Sequence, residues 1–330
     1  MDVVGVDPAD GQAVRAWHEA FLAGRSAGRE APPSWPLAEA AVQLKEDGPA
    51  YRSLAYAAVA DGVTLGGVSV ELALLDNVRL VEFDLAVAPQ HRLRGAGSAL
   101  YEAVVALSHA EGRDNLLTEV VEPYQGKGPT EGVPFAERRG FTCRSRDVHQ
   151  VLDLPVDAGR LDELARRPEP GYRLRTWSGA CPDDVVSGYV ALRSRFMSEI
   201  PMGDMEYEPE VWDEARLRAE ESKWQAQQRA WFTSVAIAPS GELVGHTLMV
   251  LPGHDPEPVY QGDTMVLPGH RGHRIGLALK AANLRAMSAA QPGRRVVHTW
   301  NAEDNGPMVA VNEAMGFRPI ERTGVYQRNL

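Results

Sequence analysis

The chain is poor in residues that cross-link or anchor. Its 330 residues include two cysteines, Cys143 and Cys181, too few for a disulfide framework or a cysteine metal site. Both therefore read as reduced thiols, and no metal is expected. No stretch approaches the roughly 20 apolar residues that span a bilayer, and "SLAYAAVA" is far too short. The opening "MDVVGVDPADGQAVRAWHEAF" carries acids where a signal peptide carries a basic and then an apolar segment. A cytoplasmic protein without a membrane partner is expected. Basic charge is also scarce: Asp and Glu outnumber Lys and Arg by 45 to 34, for a formal charge of −11. That balance argues against nucleic acid, whose backbone requires a basic face.

What remains is an ordinary globular composition, 44% apolar, on a chain long enough for two domains. The spacing of Val14, Trp17, Ala20 and Phe21 predicts a helix over Pro8 to Leu22, with Asp7 as its cap. "SLAYAAVADGVTLGGVSVELAL" reads as strand, turn at Asp61 and Gly62, and strand, with a bulge near Gly66 and Gly67. "VRLVEFDLAV" is a further strand, running into an Arg- and Gly-rich loop and the helix "SALYEAVVALSHAEG". "DAGRLDELARRPEPG", Asp157 to Gly171, reads as a linker helix closed by Pro and Gly. From Tyr172 the pattern of strands and helices restarts, so residues 1–156 and 172–330 form two domains.

The restart is a repeat. "VAPQHRLRGAGSAL" from Val87 matches "VLPGHRGHRIGLAL" from Val266 at one offset of 179 residues. That offset sets Asp84 on Asp263, Pro89 on Pro268, Arg92 on Arg271, Gly97 on Gly276 and Leu100 on Leu279. Agreement across strand, loop and helix indicates an internal duplication. A strand entering a turn of small residues and then a helix gathers backbone N–H groups at a positively polarised helix end, an arrangement that holds a pyrophosphate or other anion. "RLRGAG" lacks the glycine spacing of a dinucleotide fingerprint, and neither loop ends in the Gly-Lys-Ser/Thr of a P-loop.

The order of strand, Arg/Gln-x-x-Gly-x-Gly/Ala and helix resembles the acetyl-coenzyme A site of the Gcn5-related N-acetyltransferases (GNAT). Asn305 followed by "MVAVNEAMGF" resembles that family's late signature, which "VPFAERRGF" matches only in its helix and Gly140-Phe141. "LGGVSV" and "GELVGH" resemble the early hairpin. The tandem form is similar to that of the mycothiol synthases, which acetylate an amine of a thiol-cofactor precursor, although no residue here fixes that acceptor. The resemblance implies an α/β chain of two tandem acyl-CoA N-acyltransferase domains, each a mixed central sheet flanked by helices. It also implies an N-acetyltransferase moving acetyl from acetyl-CoA to a primary amine of a small molecule, as a monomer or homodimer.

Carried onto this chain, the resemblance sets the pyrophosphate on Arg92, Arg94, Gly95, Ala96 and Gly97, or on Arg271, Gly272, His273, Arg274 and Gly276. The pantetheine arm lies along Leu85 to Val87 or Thr264 to Val266, in a gap where two parallel strands part, with Asn305 beside it. Glu82 and Asp84 share one strand face, and Asp263 keeps the place of Asp84, so these carboxylates are candidate bases. Where the family often places a proton-donating tyrosine, the copies read Phe135 and Asn312, leaving Tyr326 and Tyr260 as substitutes. A non-catalytic acyl-CoA-binding or sensory protein therefore stays open. The second copy, with Asn305, is read as the catalytic one, since the first carries the insertion "PYQGKGPTEG". "FMSEIPMGDMEYEPEVWDE" reads as an acidic lip over the acceptor, with Glu199, Glu206 and Tyr207 as substrate contacts.

Overall fold

The computed structural model describes residues 1–45, 48–124, 130–166 and 171–330. The "QGKGP" part of the insertion and residues 167–170 of the expected linker lie outside them. The chain forms two compact units. Unit 1 comprises Met1–Arg146, Asp204–Glu208 and Thr323–Leu330, and unit 2 comprises Asp147–Gly203 and Pro209–Arg322.

Unit 1 begins with β1 (Asp2–Gly5), α1 (Gly11–Ser26) and α2 (Leu37–Lys45). The α1 cap is Asp10, which accepts from the amides of Gln12 and Ala13, while the expected cap, Asp7, accepts from Ala9 just outside the helix. Val14, Trp17 and Phe21 recur at helical spacing and are buried, with Trp17 and Phe21 stacked at 5.6 Å. A hairpin follows, β2 (Tyr51–Ala60) and β3 (Val63–Ala73), turning through Asp61 and Gly62 at positive φ, with a register shift opposite Gly66. Then come β4 (Leu80–Val87), α3 (Ala96–Ala110), β5 (Asn115–Pro123), α4 (Gly132–Glu137) and the start of β6 (Thr142–Asp153).

Unit 2 takes the rest of β6, then α5 (Ala158–Ala165), β7 (Arg173–Ser178), α6 (Val186–Glu199) and α7 (Glu214–Ala226). It continues through β8 (Ala230–Ile237), β9 (Leu243–Leu251), β10 (Pro258–Val266), α8 (Ile275–Ala290), β11 (Val296–Ala302) and α9 (Gly306–Met315). The last strand, β12 (Arg318–Asn329), starts in unit 2 and passes into unit 1 at Thr323. The helix read as a linker, α5, belongs to the core of unit 2: Leu161 and Leu164 are buried there with Ala281, Leu284 and Met287 of α8. Among the described residues no helix is long and apolar enough to cross a membrane.

The strands of each unit repeat one plan. In unit 1 the order is β1-β2-β3-β4-β5 and then residues 323–329 of β12; in unit 2 it is β6-β11-β10-β9-β8-β7. β1–β2, β2–β3 and β3–β4 pair antiparallel, as do β7–β8, β8–β9, β9–β10 and β6–β11, whereas β4 pairs with β5 and β10 with β11 in parallel. Both parallel pairs are short. The last rung in unit 1 joins Phe83 to Thr118, and in unit 2 Tyr260 to His298, so the strand ends beyond them part into a notch. In unit 2 an irregularity between Gln261 and Thr264 accompanies the parting.

Each notch strand runs through a single 3₁₀ turn, Pro89–His91 or Pro268–His270, into the helix that follows. Both connecting loops need two residues in the left-handed region. In the first copy these are Leu93 (φ 59°) and Gly95 (φ 90°); in the second, Gly272 (φ 86°) and Arg274 (φ 57°). Glycine thus occupies one of the two positions in each copy, in exchanged order. This explains why Arg274 stands where Gly95 does: the glycine has moved two residues upstream. A Cβ forces crowding at such φ values that glycine avoids.

Leu93→Gly and Arg274→Gly are therefore expected to stabilise their units by up to about 1 kcal/mol, and Gly272→Ala to cost a similar amount. Nothing lies within 4 Å of a Cβ built on Gly272, so that cost comes from the backbone alone. Urea unfolding of the single variants measures all three.

Candidate active site

The loops are held by the repeated arginines. Arg92 donates its Nε to the Val87 carbonyl at 3.1 Å and its Nη2 to the Gly24 carbonyl of α1 at 3.1 Å. Arg271 repeats both bonds, to the Val266 carbonyl at 2.9 Å and the Glu199 carbonyl of α6 at 3.4 Å. These guanidiniums thus brace strand end, loop and first helix, a role that their sequence reading as phosphate ligands did not include. Arg94 and Arg274 are exposed on the same loops.

Each helix start carries amides that precede its first ladder bond. The first ladder bond of α3 is donated by Ala99 to the Gly95 carbonyl, so the amides of Ala96, Gly97 and Ser98 precede it. In α8 the corresponding bond runs from Ala278 to the Arg274 carbonyl, and the amides of Ile275, Gly276 and Leu277 precede it. A Cβ on Gly276 would meet only Val266, at 3.9 Å, leaving open approach over that turn. On Gly97 it would meet the Phe135 ring at 3.3 Å. Arg139 lies over that ring at 3.6 Å and donates to Ser98 Oγ at 2.7 Å, which adds a cation to the first turn of α3. Beside the second loop, Tyr172 Oη and His270 Nδ1 are 2.9 Å apart, and the half-buried His273 ring lies 5.6 Å from the Tyr172 ring.

The paired aspartates do share a role, as ion pairs between sheet and first helix. Asp84 meets Arg25 of α1 at 3.0 Å, and Asp263 meets Arg193 of α6 at 3.3 Å. Arg193 is 7% exposed, also meets Glu220 at 3.1 Å and lies 3.8 Å over the Trp212 ring. Burial raises the Asp263 carboxyl above the usual carboxylate range, with Arg193 opposing the shift. Glu82 lies exposed on the Asp84 face. In the notch of unit 2, Thr264 Oγ1 is 2.7 Å from Thr247 Oγ1, and Gln261 donates to Thr247 Oγ1 at 2.9 Å and to the Leu248 carbonyl at 2.7 Å. Leu85, Val87 and Val266 are half-buried. Asn305 caps α9, its side chain accepting from the Met308 amide at 3.3 Å.

Several residues lie elsewhere than the sequence suggested. Tyr326, considered as a proton donor, is in the core of unit 1 at 1% exposure, its hydroxyl 3.5 Å from Glu122; burial pushes its phenol up to about 12. The segment holding Glu206 and Tyr207 belongs to unit 1 as well. The Glu206 amide donates to Gln327 Oε1 at 2.9 Å, Gln327 Nε2 returns a bond to the Glu206 carbonyl, and Tyr207 packs against Leu80, Leu117 and Val325. The part of the expected acidic lip that holds Glu206 and Tyr207 is thus a strap docked on unit 1. Glu199 takes Arg271 at 2.9 Å and Arg195 at 3.1 Å, so its carboxylate is committed to the loop brace. Counted back from the Gly-Phe pair, the first-copy equivalent of Asn312 is Ala136 rather than Phe135. Burial raises both thiols, Cys181 to about 12, and neither forms a disulfide.

Sequence reading missed two buried polar groups of unit 2. Lys280 of α8, 1% exposed, donates to Asn312 Oδ1 at 2.5 Å, and Asn312 donates in turn to Gln150 Oε1 at 2.7 Å. On the opposite face, Glu321 Oε1 lies 2.6 Å from His149 Nδ1, and His149 Nε2 lies 2.9 Å from His298 Nδ1. The Trp300 ring stacks on His149 at 4.1 Å, and Tyr260 lies 5.4 Å from His298, at the rung where the notch opens. His149 and His298 sit in strand-like segments of the sequence, but only the β6–β11 register brings them together.

A central sheet with one parted parallel pair, followed by a loop and a helix that starts beside the strand end, has the plan of an acyl-CoA-type transferase fold, and the comparisons agree. The Acetyltransferase (GNAT) family matches residues 15–141 and again 195–317, and the chain belongs to that family. It is an acyltransferase of tandem GNAT architecture, as its sequence suggested. Among curated relatives it is similar to a mycothiol acetyltransferase of Saccharomonospora viridis, 29% identical over 72% of this chain and 71% of that one. Another, from Corynebacterium glutamicum (strain R), is 27% identical over 81% and 80%. Among solved structures it is similar to a tandem GNAT protein from the clavulanic acid biosynthesis pathway, with TM-score 0.79 and 29% identity over 99% of this chain and 98% of that one. A GCN5-related N-acetyltransferase from Sphaerobacter thermophilus, at 16% identity and TM-score 0.67, shares the fold.

Burial lowers the Lys280 amine to about 7. At Lys280 the unfolded chain then binds one proton more than the folded one between about pH 7 and pH 10.5, so this group's contribution to folding stability rises with pH there by about 1.4 kcal/mol per unit. Lys280→Met is expected to remove that slope, as read from urea midpoints of wild type and variant across the window.

Proposed function

We propose that this protein transfers an acetyl group from acetyl-CoA to a primary amine of a small molecule, and that the second copy performs the transfer. The observation that carries the reading is the notch of unit 2 beyond Tyr260 and His298, flanked by the leading amides of α8. We further take residues 1–156 and 172–330 as the duplicated modules, with α5 between them.

In this reading acetyl-CoA supplies the acyl group. The amides of Ile275 and Gly276 and the exposed Arg274 hold its pyrophosphate, with the helix end favouring negative charge. Gly276 leaves room for close approach. The pantetheine arm bonds the backbone of Thr264 to Val266 on the side turned away from β9, where β10 leaves β11, and a Val266 amide there would meet developing charge on the carbonyl oxygen. Arg271 contributes indirectly, by fixing the loop to Val266 and α6. Names of similar proteins support acetyl as the acyl group and a small metabolite as acceptor. The second copy is favoured because α9 is capped by Asn305 and ten residues long, whereas α4 has six.

Calorimetric titration of acetyl-CoA into the intact protein tests this. Gly276→Ala, which the folded protein accommodates, is expected to weaken binding at least about tenfold, or about 1.4 kcal/mol. The same change at Gly97 should leave that binding event in place. Loss confined to the Gly97 variant would move the active site to unit 1, and no binding by the wild type would sink the reading.

A further inference from the structure

The strand that borders the notch carries a bulge in unit 2 and runs regularly in unit 1. Between β9 and β10 the register steps from Gln261 opposite Met249 to Thr264 opposite Thr247, so Gly262 and Asp263 together face Leu248. The corresponding pair in unit 1, β3 and β4, runs from Glu71 opposite Glu82 to Gly66 opposite Val87 without a shift. The parallel pairing on the other edge of the strand ends at different places too. At the repeat offset Phe83 corresponds to Gly262, yet the last rung is Phe83 in unit 1 and Tyr260 in unit 2. β10 thus leaves its parallel neighbour two residues sooner, about 7 Å of strand. A bulge also exchanges faces. Val81 lies in the core with Leu100 and Tyr101 of α3, whereas its counterpart Tyr260 pairs with Val250, on the face opposite the one where Met249 and Leu251 meet α8.

A bulge leaves one rung of the ladder unmade, and the side chain of Gln261 fills it. Its Nε2 donates to the Leu248 carbonyl at 2.7 Å, opposite the bulge, and to Thr247 Oγ1 at 2.9 Å. Thr247 Oγ1 lies 2.7 Å from Thr264 Oγ1, on the rung where regular pairing resumes. One amide thus ties the start of the bulge to its end. Gln261 is 6% exposed, and its Oε1 has no hydrogen-bond partner among the described residues. A buried acceptor left unpaired costs stability that an apolar side chain would not lose. What Gln261 secures is therefore geometry, two N–H donors placed where the strand departs. Glu82 stands at this position in unit 1, and an ionised carboxylate has no proton to donate.

We infer that Gln261 is a positioning residue for acetyl-CoA: its amide replaces the missing rung, holds the bulge and so sets where β10 parts from β11. This rests on acetyl-CoA binding in unit 2. Gln261 acts through the backbone of β10 and touches neither cofactor nor acceptor. With the bulge held, Thr264 to Val266 lie beyond the last parallel rung, and their edge away from β9 is presented to the pantetheine arm. The regular strand of unit 1 stays paired two residues further, which gives a physical reason for the transfer to belong to unit 2.

The test uses Gln261→Met in the full-length protein, a change that keeps the length of the side chain and removes both donors. Because it also removes the unpaired oxygen, the urea midpoint is expected to hold. Amide hydrogen exchange at Leu248 and from Gly262 to Met265 should quicken at least about tenfold, with the rest of unit 2 unchanged. In calorimetric titration the dissociation constant for acetyl-CoA should rise about tenfold. Thr247→Val, which keeps the Leu248 bond, is the second variant and should move exchange and affinity in the same direction by a smaller factor. Exchange and affinity of wild-type size in Gln261→Met overturn the inference. So does exchange that quickens throughout unit 2, since Gln261 would then support the fold alone. A wild type that binds no acetyl-CoA would instead defeat the functional reading beneath, while the exchange result still decides whether Gln261 holds the bulge.

Discussion

In each unit one guanidinium joins three pieces of backbone that are far apart in sequence. Arg92 fastens the end of β4, its loop and the last turns of α1; Arg271 does the same for β10 and α6. A planar guanidinium suits this task, because its Nε and Nη donors sit on separate nitrogens at fixed angles and reach two carbonyls that a lysine's single ammonium nitrogen would have to approach from one point. The last carbonyl of each notch strand is thus held from the loop side, and the position of the loop and the helix start after it depends on that one side chain.

The left-handed pair in each loop is the other half of this constraint. Two residues at positive φ turn the chain from the strand end into the helix that follows. Each copy tolerates one substituted residue there provided glycine holds the other position. Duplication preserved the backbone path and let the residue identities drift, which is what a conformational requirement, as opposed to a side-chain contact, permits.

The two copies differ more in their polar interiors. In unit 1 the position of Lys280 is taken by Tyr101, whose hydroxyl receives Arg328. In unit 2 the buried Lys280, Asn312 and Gln150 lie on one face of the sheet and the Glu321, His149 and His298 line on the other. Both groups are costly to bury, and both flank the strand pair that parts. Only unit 2 has its late helix capped by asparagine, and the line of imidazoles ends where its notch begins. This concentration of polar groups is in keeping with the proposal that unit 2 performs the transfer.

The amino-acid sequence by itself determined the family, the duplication and the loop–helix elements, because these rest on local spacing: period-3.6 and period-2 patterns, turn residues and one offset carried through strand, loop and helix. It also located the hairpin turn at Asp61 and Gly62. Only the tertiary structure decided what the marked residues touch. Asp84 and Asp263 look like bases until Arg25 and Arg193 meet them, and Tyr326 looks like a donor until β12 carries it into unit 1. His149 and Glu321 stand 172 residues apart, and no local pattern encodes a contact made by strand order and register. Spacing along a chain fixes which face a side chain shares, whereas its partner across the sheet is set by how distant strands pair.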